Sequence, residues 1–212
     1  MAEAIILIFY LVVLIFSVII HEISHGYVAE RLGDSTARLA GRLTLNPLRH
    51  LDFFGSFLLP VSLYLLSGGT FVFGWAKPVP YNPLNLKNPK NDSGKIAVAG
   101  VVANFTIAIV FGILLRLLSG SALGSALGIF FGIIIYTNIL LGVFNLVPLP
   151  PLDGSKVLFS VLPPNETGYR ITNFLERYGI MLLLIFIFFG FQLIVPIINF
   201  LFFIISGHYF GA

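Results

Sequence analysis

The chain has 212 residues, 58% of them hydrophobic and only 10% charged, with a net charge of +3 and a mean hydropathy of +0.99. Soluble domains carry roughly a quarter charged residues, so this composition excludes a water-soluble globule and indicates one integral membrane domain over 1–212. With no cysteine, disulfides, thiolate catalysis and Cys-ligated metal are excluded, and membrane topology, not nucleic acid, accounts for the basic balance.

Five apolar stretches follow in chain order. The first predicts a core transmembrane helix over about 4–29; it opens at Glu3, not at a basic cluster, and is too long for a signal peptide. The second, FFGSFLLPVSLYLLSGG, is short and contains Pro60. Together with TFVFGWAKPVPY it predicts a re-entrant region over about 53–81, with a short β-like hairpin in its second half. Gly69 to Tyr81 then offers an edge for pairing with extended peptide, or Phe71, Phe73 and Trp75 anchor the loop at the interface. The third and fourth stretches predict core helices over about 96–118 and 127–147. The last, about 179–206, is a C-terminal helix with Pro196 in its middle, either one kinked span or a span followed by an interfacial helix. The expected fold class is an all-α polytopic membrane protein with four to five transmembrane helices plus the re-entrant segment.

Charge orients these segments. If the second stretch dips in and returns, the loops at 30–52, 76–95 and 148–178 share one side. Those loops then hold all of the 12 Lys and Arg except Arg116. The positive-inside rule makes that side cytoplasmic. Five full crossings would split the charge and leave no orientation.

The first stretch ends in HEISHG, His21 to Gly26. Residues four apart lie on one helix face, so His21 and His25 present two imidazoles to one point. This is the HExxH spacing, in which two His bind Zn²⁺ and the Glu serves as general base. Glu22 lies about 10 Å from the expected helix end, inside the bilayer near its edge. Ionisable groups at such a position are functional by default.

A catalytic zinc takes three protein ligands. His50 and His208 read as surface residues. Asp153, in NLVPLPPLDGSK, is the better third ligand. Pro148, Pro150 and Pro151 forbid helix there and hold the chain extended, and Gly154 allows a turn. If Asp153 meets both His at one depth, the first and fourth stretches run parallel. An even number of crossings must separate their exits, so the second stretch cannot span. Asn104 and Asn145, amides within apolar stretches, are candidates for binding substrate backbone or the oxyanion or for interhelical bonding.

HEISHG, AGVVANF (Ala99 to Phe105) and FNLVPLPPLDG (Phe144 to Gly154) together resemble the site-2 protease family of intramembrane zinc metalloproteases. GWAKPVPYNP, Gly74 to Pro83, resembles a stretch of its small bacterial and archaeal members. The resemblance covers about 19–163. It implies a core of three transmembrane helices, one Zn²⁺ per chain held by His21, His25 and Asp153, and Glu22 as catalytic base. Val101 stands where relatives often have Pro, and no PDZ or CBS regulatory segment is evident.

The expected function is zinc-dependent endopeptidase cleavage of membrane proteins within or near their transmembrane segments. The partners are such substrates and the lipid bilayer, not nucleic acid; no oligomeric state follows from the sequence. The expected location is a prokaryotic plasma membrane, with the active site near the cytoplasmic side. Alternatives are a metal transporter, which would show repeated halves with broken helices, or a catalytically silent homologue that binds membrane proteins.

Overall fold

A computed structural model describes residues 2–66, 68 and 76–209. Its helices are α1 (Ala2–Arg31), α2 (Thr36–Leu39), α3 (Leu59–Leu66), α4 (Pro89–Leu118), α5 (Ala122–Asn145), α6 (Asp153–Val161), α7 (Glu166–Ile185) and α8 (Val195–Ser206). Among the described residues four helices are long and apolar enough to cross a membrane: Glu3–Arg31, Pro89–Leu118, Ala122–Asn145 and Glu166–Leu193. Their exposed faces are apolar, as at Leu7, Ile8, Leu11 and Ile15 on α1, while Ser17, His21, His25, Asn104 and Asn138 are buried. A bundle in hydrocarbon sorts its residues this way, because lipid solvates Leu and Ile and leaves polar groups to find partners inside.

α1, α4 and α5 form the centre. His25 faces Ile96 and Ser17 faces Asn104, so α1 and α4 run antiparallel. Phe111 stacks edge-on against Phe131, and Phe105 lies against Gly142, so α4 and α5 are also antiparallel. α1 and α5 are therefore parallel, with Phe9 on Phe130 at 4.9 Å and the Asn138 amide donating to Ser17 Oγ at 2.9 Å. α8 closes the far half of the bundle: Ile198 and Phe202 join Ala108, Leu115, Ile135 and Ile139 in one buried apolar cluster.

The last apolar stretch is not one helix. Its helix begins at Glu166, passes through π- and 3₁₀-turns over Phe186–Gly190 and Phe191–Leu193, and restarts as α8. Pro196 sits in the first turn of α8, where a missing N–H is tolerated.

Hydrogen bonds tie the three cation-bearing loops together at one end. Asp34 accepts from the Asn82 N–H at 2.7 Å and from Asn85 Nδ2 at 2.7 Å. The Lys77 N–H donates to the His50 carbonyl at 2.8 Å, and Lys90 donates to the Leu162 carbonyl. Burial alone would raise the Asp34 carboxyl, but hydrogen bonds from Thr36, Asn85 and Asn82 hold it below the ordinary aspartate value. The Lys77–His50 bond also closes the neck of the excursion through Phe53–Leu58 and α3. That helical run is about 20 Å long, too short for a core of about 30 Å.

The β-like hairpin expected there is without support. Residues 69–75, including Phe71, Phe73 and Trp75, lie outside the described part. Residues 76–81 are not in a strand, and no strand occurs among the described residues. The physical reason is local: Pro78 and Pro80 have no N–H to give a ladder, and Val79 donates its N–H to a side chain.

Candidate active site

The site is built on the last turns of α1. His21 Nε2 and His25 Nε2 lie 2.9 and 3.0 Å from the same oxygen, Oδ2 of Asp153. Asp153 begins α6 immediately after the proline run, with Leu152 extended as its N-cap; a carboxylate in a first helical turn also complements the helix dipole. His21, Glu22 and His25 each bring one ligand atom to within 4.8 Å of the others.

The tautomers follow from the partners. His21 Nδ1 meets the side-chain oxygen of Asn104 at 2.6 Å, and His25 Nδ1 meets the Ile96 carbonyl at 2.6 Å. Both oxygens only accept, so neutral rings carry their protons on Nδ1. Two Nε2 lone pairs then face a carboxylate oxygen with no proton between them. Such a set repels itself unless a cation sits among its donors. The donor types fit zinc, and the oxygen partners on the far side of each ring are the usual orienting groups of metal-bound imidazole.

Asn104 is fully buried. Its amide donates to Asn138 Oδ1 at 2.9 Å and to the Ser17 carbonyl at 3.4 Å. It stands behind His21 and does not line the cavity, so it has no free edge for a substrate. Asn145 does line the cavity; its amide donates to the Leu141 carbonyl at 3.0 Å. That cavity, about 180 Å³, is bounded by His21, Glu22, His25, Asp153, Asn145 and Lys156 and roofed by 78–81. It adjoins a groove of about 640 Å³ between α4, α6 and α7, with Tyr81, Pro151 and Lys156 as shared walls.

Several contributors have no signature in the sequence. A Cβ on Gly100 would lie 2.6 Å from ring atoms of both His21 and His25, so only glycine admits the two imidazoles there. Gly100 lies in AGVVANF, four residues before Asn104, and that spacing is the one signal that could have found it. Gly154 is needed for close approach and not for a turn: a Cβ would lie 2.3 Å from the Leu146 carbonyl oxygen. Lys156, one turn after Asp153, donates to its other oxygen at 3.2 Å and lies over the Tyr81 ring. His50 is 1% exposed, not a surface residue; its Nε2 donates to the Thr44 carbonyl at 2.8 Å, away from the cluster. His208 is exposed.

A bundle of apolar helices with an inward His–Glu–His turn defines a membrane metallopeptidase. The profile of Peptidase family M50 matches residues 9–132 and 116–186, and the chain belongs to that family. It is 39% identical over 183 residues to YwhC of Bacillus subtilis, covering 83% of this chain and 78% of that one. It is 31% identical over 140 residues to MJ0611 of Methanocaldococcus jannaschii, covering 66% of this chain and 63% of that one. With MJ0392 of the same organism it shares 27% over 183 residues, 84% of this chain but 42% of the relative. All three are named as zinc metalloproteases. No solved structure matches the chain.

Proposed function

We propose that this chain is a zinc-dependent intramembrane endopeptidase that hydrolyses peptide bonds within or near transmembrane segments of other membrane proteins. The observation that carries the reading is the convergence of His21 Nε2, His25 Nε2 and Asp153 Oδ2 beside Glu22, inside a bundle of membrane-spanning length. His21, His25 and Asp153 would hold one Zn²⁺, which supplies polarisation of the scissile carbonyl and acidification of water.

Glu22 takes a proton from the attacking water and passes it to the leaving amine. The water's oxygen bonds to the carbonyl carbon as the C–N bond breaks; the new carboxylic acid then gives up the water's second proton, so the products are a carboxylate and an ammonium. Asn145, on the cavity wall, has a carbonyl oxygen and an amide edge for substrate backbone or the developing oxyanion. Asn104 acts behind His21 as its orienting acceptor. The loop end, with its cations, faces the cytoplasm of a prokaryotic plasma membrane, and the 53–66 excursion re-enters the bilayer from that side. Water reaches the cavity from the same end.

The test uses purified protein reconstituted with a single-span membrane substrate. Glu22→Gln should lose cleavage by about 10²–10⁴-fold while zinc content stays at the wild-type value. Full cleavage by that variant would remove Glu22 from the chemistry, and cleavage insensitive to chelation would remove the metal.

A further inference from the structure

The segment crossing above Glu22, residues 77–82, is held through the N–H groups of Lys77, Val79 and Asn82. Lys77 donates to His50 O at 2.8 Å, Val79 donates to Glu22 Oε2 at 2.8 Å, and Asn82 donates to Asp34 at 2.7 Å. Its carbonyls are gripped as well. One nitrogen of the Arg42 guanidinium, Nη2, donates to Lys77 O at 2.6 Å and to Pro78 O at 3.2 Å. Val79 is 6% exposed and Arg42 7%. The strap lies close on α1: a Cβ at Gly26 would come 2.9 Å from Val79 Cγ1.

A buried guanidinium is costly to desolvate, and Arg42 Nε has no hydrogen-bond partner among the described residues. Burial pushes its pKa down, and the charge of Glu22 opposes that. An arginine in this position is therefore not a solvated loop charge. Its two carbonyl bonds act on the two residues just before Val79, the residue whose N–H reaches Glu22.

We propose that Arg42 is a positioning residue: by gripping the carbonyls of Lys77 and Pro78, it fixes the strap so that the Val79 N–H holds one carboxylate oxygen of Glu22 and leaves the other for water. The inference rests on Glu22 as the general base. A base oriented by a third group is a general requirement of such sites, and here backbone supplies it. The strap is a pinned wall, not a lid.

The chain has no cysteine, so Val79→Cys supplies a lone thiol for labelling with a maleimide. Labelling should be slow with Arg42 present and about tenfold faster or more in the Arg42→Met background, where the strap opens locally. In the cleavage assay, Arg42→Met should lower kcat by about 10²-fold with KM and zinc content near wild type. Arg42→Lys, which keeps a donor cation, should recover part of kcat. If Arg42→Met does not fold, Arg42→Lys and Val79→Pro, which deletes the N–H that reaches Glu22 and fixes φ there, carry the test: both should keep zinc and have kcat below wild type. Unchanged labelling, or faster labelling with unchanged kcat, overturns the proposal while wild-type cleavage leaves the protease reading standing. A zinc-loaded wild type that cleaves no membrane substrate overturns the protease reading, and the positioning role with it.

Discussion

The two ends of the bundle use glycine and arginine for opposite purposes. At the loop end, Gly100 makes room for side chains, the His21 and His25 rings, and the buried Arg42 grips backbone above them. At the far end, Gly124 makes room for backbone, a Cβ there lying 2.1 Å from the Leu118 carbonyl oxygen, and Gly112 makes room for Ile205, its Cγ2 at 2.3 Å and its carbonyl oxygen at 2.8 Å. There Arg116 donates to the Ile204 and Ile205 carbonyls that end α8. One end is packed around polar side chains that need partners, and the other is closed by helix-on-helix packing and an arginine on helix-end carbonyls. The difference shows that close helix packing alone does not mark a site; what the glycine faces does.

The most severe way to break this comparison is to add one methyl at each end. Gly100→Ala should expel the imidazoles, with loss of bound zinc and a fall in cleavage of about 10³-fold or more. Gly112→Ala should push α8 outward, costing about 1–3 kcal/mol in stability with zinc content unchanged. Metal analysis beside thermal unfolding in detergent reads both. Zinc loss from Gly112→Ala, or a zinc-replete Gly100→Ala, would erase the distinction between the ends.

A smaller effect is expected from Asn104→Ala, which removes the acceptor that holds the His21 proton on Nδ1. Zinc affinity should fall about 10–100-fold, read by competition with a chelator, while KM for substrate moves little. A KM effect with unchanged zinc affinity would return Asn104 to substrate binding.

The smallest concerns the pins at the loop end. Asp34 is held below its ordinary value when folded, so its contribution to stability is complete above about pH 4. It is lost as pH falls below that, through the folded value. Thermal unfolding of the wild type should therefore weaken on acidification below about pH 4 more than that of Asp34→Asn. Equal pH dependence would mean that the four donors on Asp34 do not favour its charged form.

Much of this was legible in the chain. HEISH reads directly because residues four apart share a helix face, and Asp153 stands out because three prolines forbid helix just before it. The parallel run of α1 and α5 followed from asking that these residues meet. Hydropathy alone marked five apolar stretches; the one-sided Lys and Arg, with the demand that Asp153 meet both His, reduced the full spans to four. Other features were hidden for the same physical reason. The contacts of Arg42 and His50 with 77–78 depend on segments far apart in sequence, and nothing local marks them; Gly100 had only its spacing to Asn104 as a signal. The polar N-terminal half of α7, from Glu166, was missed because its apolar residues are diluted by Glu166, Arg170, Glu176 and Arg177. The hairpin expectation stays without support: residues 69–75 lie outside the described part, and in 76–81 two prolines cannot join a ladder.

The most direct test of the central claim is zinc content of detergent-purified protein, with wild type beside His21→Ala and Asp153→Ala. The account predicts about one zinc per wild-type chain, reduced in both variants, which joins α1 and α6 in one metal site. A wild type that takes up no zinc on reconstitution, or an Asp153→Ala variant that retains it in full, would contradict the account.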